Sequence, residues 1–207
     1  MASLICVIGA YLIGSVSFAV LASWIFRLPD PRSYGSGNPG AANVLRSGKV
    51  PAALFTLLGD AAKGAAAVLL ARFLAPTLGF GPITVAVCAL AVVFGHLYPV
   101  FFGFKGGKGV ATSFGALLAL SPGAALAAVA VFLLVVALSR YVSLASILAA
   151  GAAVVVSPMV LGWGAESAAV LAIAVLVIWR HRTNIQRLQE GTESKLNLRR
   201  RDATRTG

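Results

Sequence analysis

The chain has 207 residues, of which 59% are hydrophobic and only 11% are charged, and its formal net charge is +11. Because a soluble domain is usually about a quarter charged, this composition excludes an ordinary soluble domain and indicates one polytopic membrane domain. The positive charge lies in short segments between apolar runs, so it favours membrane topology and anionic ligands over nucleic acid. Cys6 and Cys88 lie in apolar runs and predict neither a disulfide framework nor a zinc site.

The first apolar run, residues 2–26, lacks a positively charged amino-terminal region and is too long for the apolar part of a signal peptide. We therefore interpret it as one retained membrane helix. Arg27 and Arg32 follow it and place its C-terminal end in the cytoplasm by the positive-inside rule, with the N-terminus outside. Residues 27–49 contain no apolar run and are rich in Gly, Ser, Asn and Pro. Such a length favours a functional segment, with a plain connecting loop as the alternative.

Residues 51–74 form the second predicted span. Asp60 and Lys63 stand inside it at positions i and i+3, on one face of the helix. Ionisable groups within a span usually face the protein interior and pair with each other. We interpret them as a structural or site-supporting ion pair, with direct catalysis as the alternative. The next loop, residues 75–82, carries no Lys or Arg, as expected outside the cell.

Residues 83–102 return to the cytoplasmic side and lead into the glycine–lysine loop, defined here as residues 103–109. Its four glycines allow backbone N–H groups to converge, and Lys105 and Lys108 add positive charge. A helix that begins at residue 110 adds unpaired N–H donors. These features suit a phosphate group, although the spacing is not that of a P-loop. A basic loop between membrane helices is the alternative, and His96 is expected to be a packing residue rather than a catalyst.

The run after this loop decides the topology. Residues 110–120 would form a helix only ~16 Å long, about half of the apolar core of a membrane. If residues 110–138 were one span, Arg140 and the basic tail would lie outside; if the chain turns near Pro122, both lie inside. The second arrangement has seven segments and places every interhelical Lys and Arg on one side, except Arg72 near an outer end. We therefore expect spans over 124–138, 142–161 and 167–179.

The last span is followed by residues 180–193, in which His181 and Asn184 stand at i and i+3. Alone, this spacing also fits a plain helix end at the interface. Residues 194–207 are expected to form a mobile basic tail that attracts anionic lipid. Three polar, cation-rich segments, 33–49, 103–113 and 180–193, then share one membrane face. They predict a basic pocket beside lipid, which suits a ligand with phosphate at one end and hydrocarbon at the other.

Three segments resemble, in order, the three cytoplasmic motifs of the bacterial acyl-phosphate:glycerol-3-phosphate acyltransferases, the PlsY family. They are SGNPGAANVLR, GHLYPVFFGFKGGKGVAT and RHRTNIQRL, the last followed by GTE. RYVSLAS and the Asp60–Lys63–Gly64 pattern also match. The resemblance implies an all-α integral membrane protein of about seven transmembrane helices, with one domain over residues 1–193 and a tail over 194–207. It implies a bacterial inner-membrane enzyme with its N-terminus outside, and its C-terminus and active site in the cytoplasm.

The reaction that the resemblance implies transfers a fatty acyl group from acyl-phosphate to the 1-hydroxyl of sn-glycerol 3-phosphate. Its products are lysophosphatidic acid and phosphate, in the first step of phospholipid synthesis. The resemblance implies no metal, cofactor, acyl-CoA or acyl-carrier protein. Its implied partners are the two substrates, membrane lipid and, functionally, the enzyme that makes acyl-phosphate; nucleic acid is not among them.

Because an acyl-phosphate is already activated, the protein has to neutralise and orient two phosphates and stabilise the oxyanion, without a covalent intermediate. The expected catalytic residues are Arg46, Lys105, His181 and Asn184. The expected substrate-binding residues are Ser36, Gly37, Asn38, Gly40, Asn43, Gly103, Gly106, Gly107, Lys108, Gly109 and Ser143.

The first motif departs from the family pattern at Ala42, where a threonine is usual. Another donor, such as Ser36 or Asn43, must then replace that hydroxyl. For the proton of the glycerol hydroxyl we expect a substrate phosphate as acceptor, because the arginines around His181 should lower its pKa and weaken it as a base. His181 itself is the alternative.

A second class of function, a transporter for an organic phosphate, also fits spans with a basic face. It predicts binding groups near the membrane midplane and often an inverted repeat, whereas the cations cluster at one face and no repeat is found between the halves. The soluble type of acyltransferase is disfavoured because neither histidine is followed by aspartate five positions later. A non-catalytic scaffold leaves the glycine–lysine loop unexplained.

Overall fold

The computed structural model describes residues 1–196, and every regular element within that range is helical. The α-helices, in chain order, are α1 (Ala2–Ser15), α2 (Phe18–Ile25), α3 (Ala41–Val44), α4 (Val50–Leu78), α5 (Pro82–Leu97), α6 (Val110–Leu120), α7 (Pro122–Ser139), α8 (Val142–Leu161), α9 (Ala165–Arg180) and α10 (Arg182–Gln189). Short 3-10 turns cover Leu45–Ser47 and Val100–Phe102. The predicted all-α fold is thereby confirmed.

Four helices of the described part are long and apolar enough to cross a membrane: α4, α5 with the turn after it, α7 and α8. The number rises to six if the bent pairs α1 with α2 and α9 with α10 each count as one span. Helix α6 is a shorter apolar helix. Because α10 is polar, we take the last span to end with α9, as the sequence predicted.

The first apolar run is broken, so the prediction of one continuous helix over residues 2–26 is wrong. Val16 is extended, and the Ser17 hydroxyl begins α2 by accepting a hydrogen bond from the Val20 N–H. The two helices are bent by 40°. The break is tolerated in apolar surroundings because Lys63 Nζ donates to the Val16 carbonyl at 2.6 Å, which satisfies a partly buried backbone group.

Glycines allow two pairs of helices to pack closely, α4 against α6 and α1 against α5. A Cβ atom on Gly64 would collide with the Thr112 carbonyl, and one on Gly95 would collide with the Tyr11 carbonyl. Small residues at such crossings let the backbones of membrane helices approach each other. The α4–α6 crossing brings the predicted Asp60–Lys63 face of α4 beside the helix that follows the glycine–lysine loop.

Helix α6 has the predicted bounds, and the chain turns at Pro122, as expected. The last carbonyl groups of any helix lack intrahelical donors. Here Arg72, from α4, donates to Ala119 O at 2.6 Å and to Leu120 O at 3.0 Å. Its guanidinium also pairs with Glu166 at 2.9 Å. Arg72, which the sequence predicted near an outer end, therefore closes the end of a short helix.

The described part ends close to the loop between α7 and α8. The Leu196 N–H donates to Arg140 O at 2.7 Å, and the Lys195 ammonium lies 5.3 Å from the centre of the Tyr141 ring. The first residues of the predicted tail, 194–196, are thus held against the helical domain. Residues 197–207 of that predicted tail lie outside the described residues.

Arg72→Met should lower the free energy of unfolding by about 2 kcal/mol or more, because two helix-end carbonyls lose charge-assisted hydrogen bonds. Glu166→Gln is the matched control. It leaves Arg72 on the carbonyls and should cost less than about 1 kcal/mol, because the lost ion pair is partly exposed. Thermal unfolding of the purified variants in one detergent measures both. Equal destabilisation would contradict the assignment of the helix-end role to Arg72.

Candidate active site

The first polar segment is folded around the side chain of Asn43. Asn43 is buried, and its Oδ1 accepts the N–H of Ser36 at 2.8 Å. Its Nδ2 donates to Pro31 O at 2.7 Å and to Tyr34 O at 3.1 Å. Both amide hydrogens are therefore used by the loop backbone. Asn43 acts as a scaffold for this segment, with little capacity left for a substrate.

The exposed side of the same segment carries Ser36, Gly37 and Arg46. Ala42 is exposed too, at the start of α3. Of the two donors expected to replace the missing threonine, Asn43 is engaged by the backbone, whereas Ser36 is exposed. Close to these residues, the Gly40 N–H donates to Asn38 O at 2.9 Å, forming the tight turn that precedes α3.

The glycine–lysine loop is held by the third segment through its backbone carbonyls. Arg180 Nη2 donates to Gly106 O at 3.1 Å and to Gly107 O at 3.0 Å. The guanidinium lies 5.6 Å from the centre of the Tyr98 ring, within cation–π range. The second and third segments are thus joined directly by Arg180, which was not among the predicted catalytic and substrate-binding residues.

The N–H groups of the loop divide into engaged and available ones. The Gly107 N–H donates to His96 O at 3.1 Å, so an anion does not have this donor. The N–H groups of Gly106, Lys108 and Gly109 donate to no acceptor in residues 1–196. Gly103 and Gly109 have φ angles of 63° and 82°, in a region of backbone conformation that residues other than glycine rarely adopt. The loop therefore presents fewer backbone donors to an anion than its four glycines suggest.

A network around Glu193 joins the loop to the third segment and to α8. Lys108 Nζ donates to Asn184 Oδ1. Asn184 Nδ2 and Ser143 Oγ donate to Glu193 Oε1 at 2.6 and 2.7 Å, and Arg187 Nε donates to Glu193 Oε2 at 2.8 Å. Ser143, Lys108 and Asn184, which were expected on substrate, thus meet in one place. Glu193 was not predicted as a site residue, although an acidic residue at the end of a basic motif could have indicated an ion pair within the site.

The carboxylate of Glu193 is kept ionised by these partners. Burial raises its pKa, but hydrogen bonds from Arg187, Ser143 and Asn184 outweigh burial, so the pKa lies below its usual value. At neutral pH the site therefore contains one internal anion among its cations.

The pKa of the Lys108 ammonium is lowered toward neutral pH. Burial lowers its pKa to about 8; Glu193 opposes this, whereas Arg187, Arg180 and Arg46 lower it further. The last of these cations belongs to the first polar segment. All three segments therefore act on one ammonium group. Lys105 and Arg46 themselves have exposed side chains.

His181 is buried at the junction of α9 and α10. Its Nδ1 donates to Val177 O at 2.8 Å, which leaves Nε2 as the acceptor of the neutral ring. Burial lowers its pKa to about 4; the Val177 carbonyl and Glu193 oppose this, whereas Lys108 and Arg180 lower it further. The lowered pKa was expected, but burial rather than charge is its larger cause.

A buried polar cluster, defined as Asp60, Lys63, His96 and Thr112, lies next to the loop. Lys63 Nζ is 2.8 Å from Asp60 Oδ1, and both side chains are only 3% exposed, which confirms the predicted pair. His96 Nδ1 lies 3.1 Å from Thr112 Oγ1 and 3.5 Å from Asp60 Oδ1. His96 is therefore packed and hydrogen-bonded, as expected.

Fold and site together define a helical membrane protein with a basic site assembled from three polar segments. The model of the family described as glycerol-3-phosphate acyltransferase matches residues 4–191. A glycerol-3-phosphate acyltransferase of Nitrosospira multiformis is 53% identical over 193 residues, covering 93% of this chain and 96% of the relative. One of Neisseria meningitidis serogroup B is 54% identical over 187 residues, covering 90% and 94%.

Two crystal structures are similar to this fold. PlsY, an integral membrane glycerol 3-phosphate acyltransferase, matches in its glycerol 3-phosphate form with a TM-score of 0.87 and 39% identity, covering 95% of this chain and 96% of that chain. Its lysophosphatidic acid form matches with a TM-score of 0.85 and 38% identity over the same shares. The chain therefore belongs to the PlsY family of glycerol-3-phosphate acyltransferases.

Glycerol-3-phosphate acylation should slow as pH rises through about 8, because Lys108 then loses its positive charge. Lys108→Arg keeps the charge at every accessible pH, so its kcat/KM should lack this decline even if its rate is lower throughout. The measurement is kcat/KM against pH for both proteins. An identical alkaline decline in Lys108→Arg would show that another group causes it.

Proposed function

We propose that this chain transfers a fatty acyl group from acyl-phosphate to the 1-hydroxyl of sn-glycerol 3-phosphate, giving lysophosphatidic acid and phosphate. The observation that carries the proposal is the assembly of cations from three segments around one site, next to an apolar groove. A reaction between a phosphorylated lipid-like donor and a phosphorylated acceptor needs both features.

The basic site has the groups that two phosphates require. Arg46 can bind a phosphate oxygen pair in a bidentate manner, whereas Lys105 and Lys108 act as point charges. The available N–H groups of the loop and the first turn of α6 add neutral donors. Such preorganised donors also stabilise negative charge on the acyl oxygen as the bond forms.

The apolar groove suits the hydrocarbon part of the donor. It has a volume of about 390 Å³ and lies between α1, α5 and α9. From its wall, the Tyr11 hydroxyl donates to Tyr98 O at 2.8 Å, and the Tyr98 ring packs under Arg180, which holds the glycine–lysine loop. The groove and the basic site are therefore connected through direct contacts. Its lining residues are Val7, Ile8, Tyr11, Val87, Leu90, Ala91, Phe94 and Leu176.

The chemistry proceeds in one step in this proposal. The glycerol oxygen attacks the acyl carbon, the bond between that carbon and the phosphate oxygen breaks, and phosphate leaves with the electron pair. No covalent enzyme intermediate is needed. Two observations support this. The Sγ atoms of Cys6 and Cys88 lie 3.6 Å apart where α1 packs against α5, so the thiols face each other. The Ser143 hydroxyl donates to Glu193, so no histidine activates it as a nucleophile.

The hydroxyl proton goes to a phosphate of one of the substrates. His181 is a weak acceptor, because its pKa of about 4 lies far below neutral pH. A phosphate group has a second pKa of about 6 and carries its own acceptor oxygens. With this transfer, His181 and Asn184 position the substrate.

The same proposal includes a membrane topology. Helices α1 with α2, α4, α5, α6, α7, α8 and α9 form seven segments in a bacterial inner membrane, with the N-terminus outside and the active site in the cytoplasm. Residues 1–193 form the single enzymatic domain. The enzyme that makes acyl-phosphate would supply the donor.

The direct test is phosphate release by the purified protein in a lipidic medium that contains acyl-phosphate and glycerol 3-phosphate. Release that requires both substrates, with lysophosphatidic acid as product, supports the proposal. Omitting each substrate in turn is the control. Acylation of glycerol 3-phosphate from acyl-CoA but not from acyl-phosphate would overturn the donor assignment, and uptake of glycerol 3-phosphate into vesicles without acylation would favour a transporter.

Arg46→Ala and Lys105→Ala should each lower kcat/KM by roughly 10- to 100-fold, because each removes a charge-assisted contact to phosphate worth about 1.5–3 kcal/mol. Lys49→Ala is the matched control. It removes an exposed cation at the end of the same segment and should leave the kinetics within about twofold. The kinetics are measured on protein with an unchanged melting temperature, and near-native values in both variants would refute the roles.

His181→Gln separates a positioning role from a basic one. We expect a lower rate, with the pH dependence of the remaining activity still set near the phosphate pKa of about 6. The measurement is the pH–rate profile of the variant beside that of the native protein. Loss of that titration in the variant, or recovery of the rate on adding imidazole, would identify His181 as the base.

Cysteine labelling tests the topology. In a Cys6→Ser and Cys88→Ala background, a Lys105→Cys variant should react with a membrane-impermeant thiol reagent only after the cells are opened. A cysteine introduced at Trp163, between α8 and α9, should react in intact cells and is the control for access. Labelling of Lys105→Cys from outside would overturn both the orientation and the cytoplasmic site.

A further inference from the structure

We propose that the buried polar cluster of Asp60, Lys63, His96 and Thr112 is a positioning device that holds the glycine–lysine loop in its phosphate-binding form. Its members act on the reaction through the backbone at Gly107, without touching a substrate. The inference rests on the proposed function only in that acyl transfer is one of its readouts.

His96 meets the loop in two ways. Its carbonyl accepts the Gly107 N–H at 3.1 Å, and a Cβ atom on Gly107 would collide with Nε2 of its ring. The same Cβ would lie 3.1 Å from Pro39 O, and the Gly107 carbonyl is held by Arg180 at 3.0 Å. Gly107 is therefore clamped between the first segment, the third segment and His96. The position of the His96 ring, in turn, is fixed by groups that are buried in the helical bundle.

The ring itself is placed by partners on two other helices. Thr112 Oγ1, on α6, and Asp60 Oδ1, on α4, lie 3.1 and 3.5 Å from its Nδ1. Lys63 completes the cluster: its ammonium is 2.8 Å from Asp60 and donates to Val16 O at the break between α1 and α2. The contacts thus run from the helix break, through α4, to the backbone of the loop.

Stability alone is a weak reason for such a cluster. Removing two charges from water costs much of what their attraction returns, and apolar residues of similar volume often stabilise a protein as well or better. In addition, Asp60 Oδ1 accepts no well-directed hydrogen bond within residues 1–196, although its charge faces Lys63 and His96. A buried, incompletely bonded carboxylate next to a binding loop indicates a role in the geometry of that loop.

The two roles predict different kinetics. If the cluster only stabilises the fold, its variants reduce the amount of active enzyme, which lowers the apparent kcat and leaves both KM values unchanged. If it positions the loop, its variants raise the KM of the substrate whose phosphate the loop binds. Gly107→Ala, which displaces the loop directly, identifies that substrate.

The experiment compares His96→Gln and Asp60→Asn with Gly107→Ala. We expect all three to raise the same KM by roughly fivefold or more, with the other KM within about twofold. Titration of inorganic phosphate should weaken in parallel and needs no acyl donor. Ser157→Ala, which removes a buried hydroxyl about four helical turns beyond Ser143, is the control and should change neither. Native KM values and phosphate affinity in both cluster variants would overturn the proposal.

A double mutant sharpens the test. His96→Ala removes the ring that a Cβ atom on Gly107 would strike, so the two substitutions should not act independently. We expect the KM of His96→Ala/Gly107→Ala to be no higher than that of the worse single variant. Multiplication of the two single effects would show that His96 does not act through Gly107.

A second double variant separates folding from positioning. Asp60→Asn/Lys63→Gln replaces the buried ion pair by neutral amides and keeps an N–H donor for the Val16 carbonyl, so the melting temperature should approach the native one while the KM stays raised. Recovery of both would assign the pair a purely structural role. Failure of the proposed function is distinguishable from failure of this inference. If acyl-phosphate is not the donor, the native protein releases no phosphate either. The binding of inorganic phosphate still reports the effect of the cluster in that case.

Discussion

A backbone carbonyl in the interior of a membrane protein needs a donor, and three irregular points of this fold depend on a cationic side chain for it. Lys63 binds the carbonyl at the break between α1 and α2, Arg72 binds the end of α6, and Arg180 binds the glycine–lysine loop. Within the apolar part of a membrane, a backbone without such donors is stable only as a continuous helix. The cations thus make possible the bends and the short helix around which the site is built.

The Lys and Arg side chains of this protein therefore fall into two groups, which the composition alone does not distinguish. Those with buried partners, such as Arg180, hold backbone and are structural members of the site. Those with exposed side chains, Arg46 and Lys105, keep the freedom to meet an anion. Lys108 stands between the groups, because it contacts Asn184 and yet has a pKa of about 8 that responds to every neighbouring charge.

The features predicted from sequence were those encoded by local pattern. The bounds of α6, the turn at Pro122 and the pairing of Asp60 with Lys63 follow from hydropathy, proline and helical spacing. The break at Val16 could not be found in this way, since the apolar run is continuous and the donor that stabilises the break is far away in sequence. Asn43 was expected on substrate for its chemistry, but tertiary contacts direct its amide to the loop backbone.

Glu193 gives the site a property that a count of its basic residues hides. A fixed carboxylate already occupies donors of Ser143, Asn184 and Arg187, so an incoming phosphate enters a partly neutralised field. An enzyme that bound its phosphates as tightly as uncompensated cations allow would also retain the phosphate that it releases, and tight ground-state binding adds nothing to kcat. In the proposed reaction, the internal anion therefore weakens the binding of the released phosphate and favours turnover.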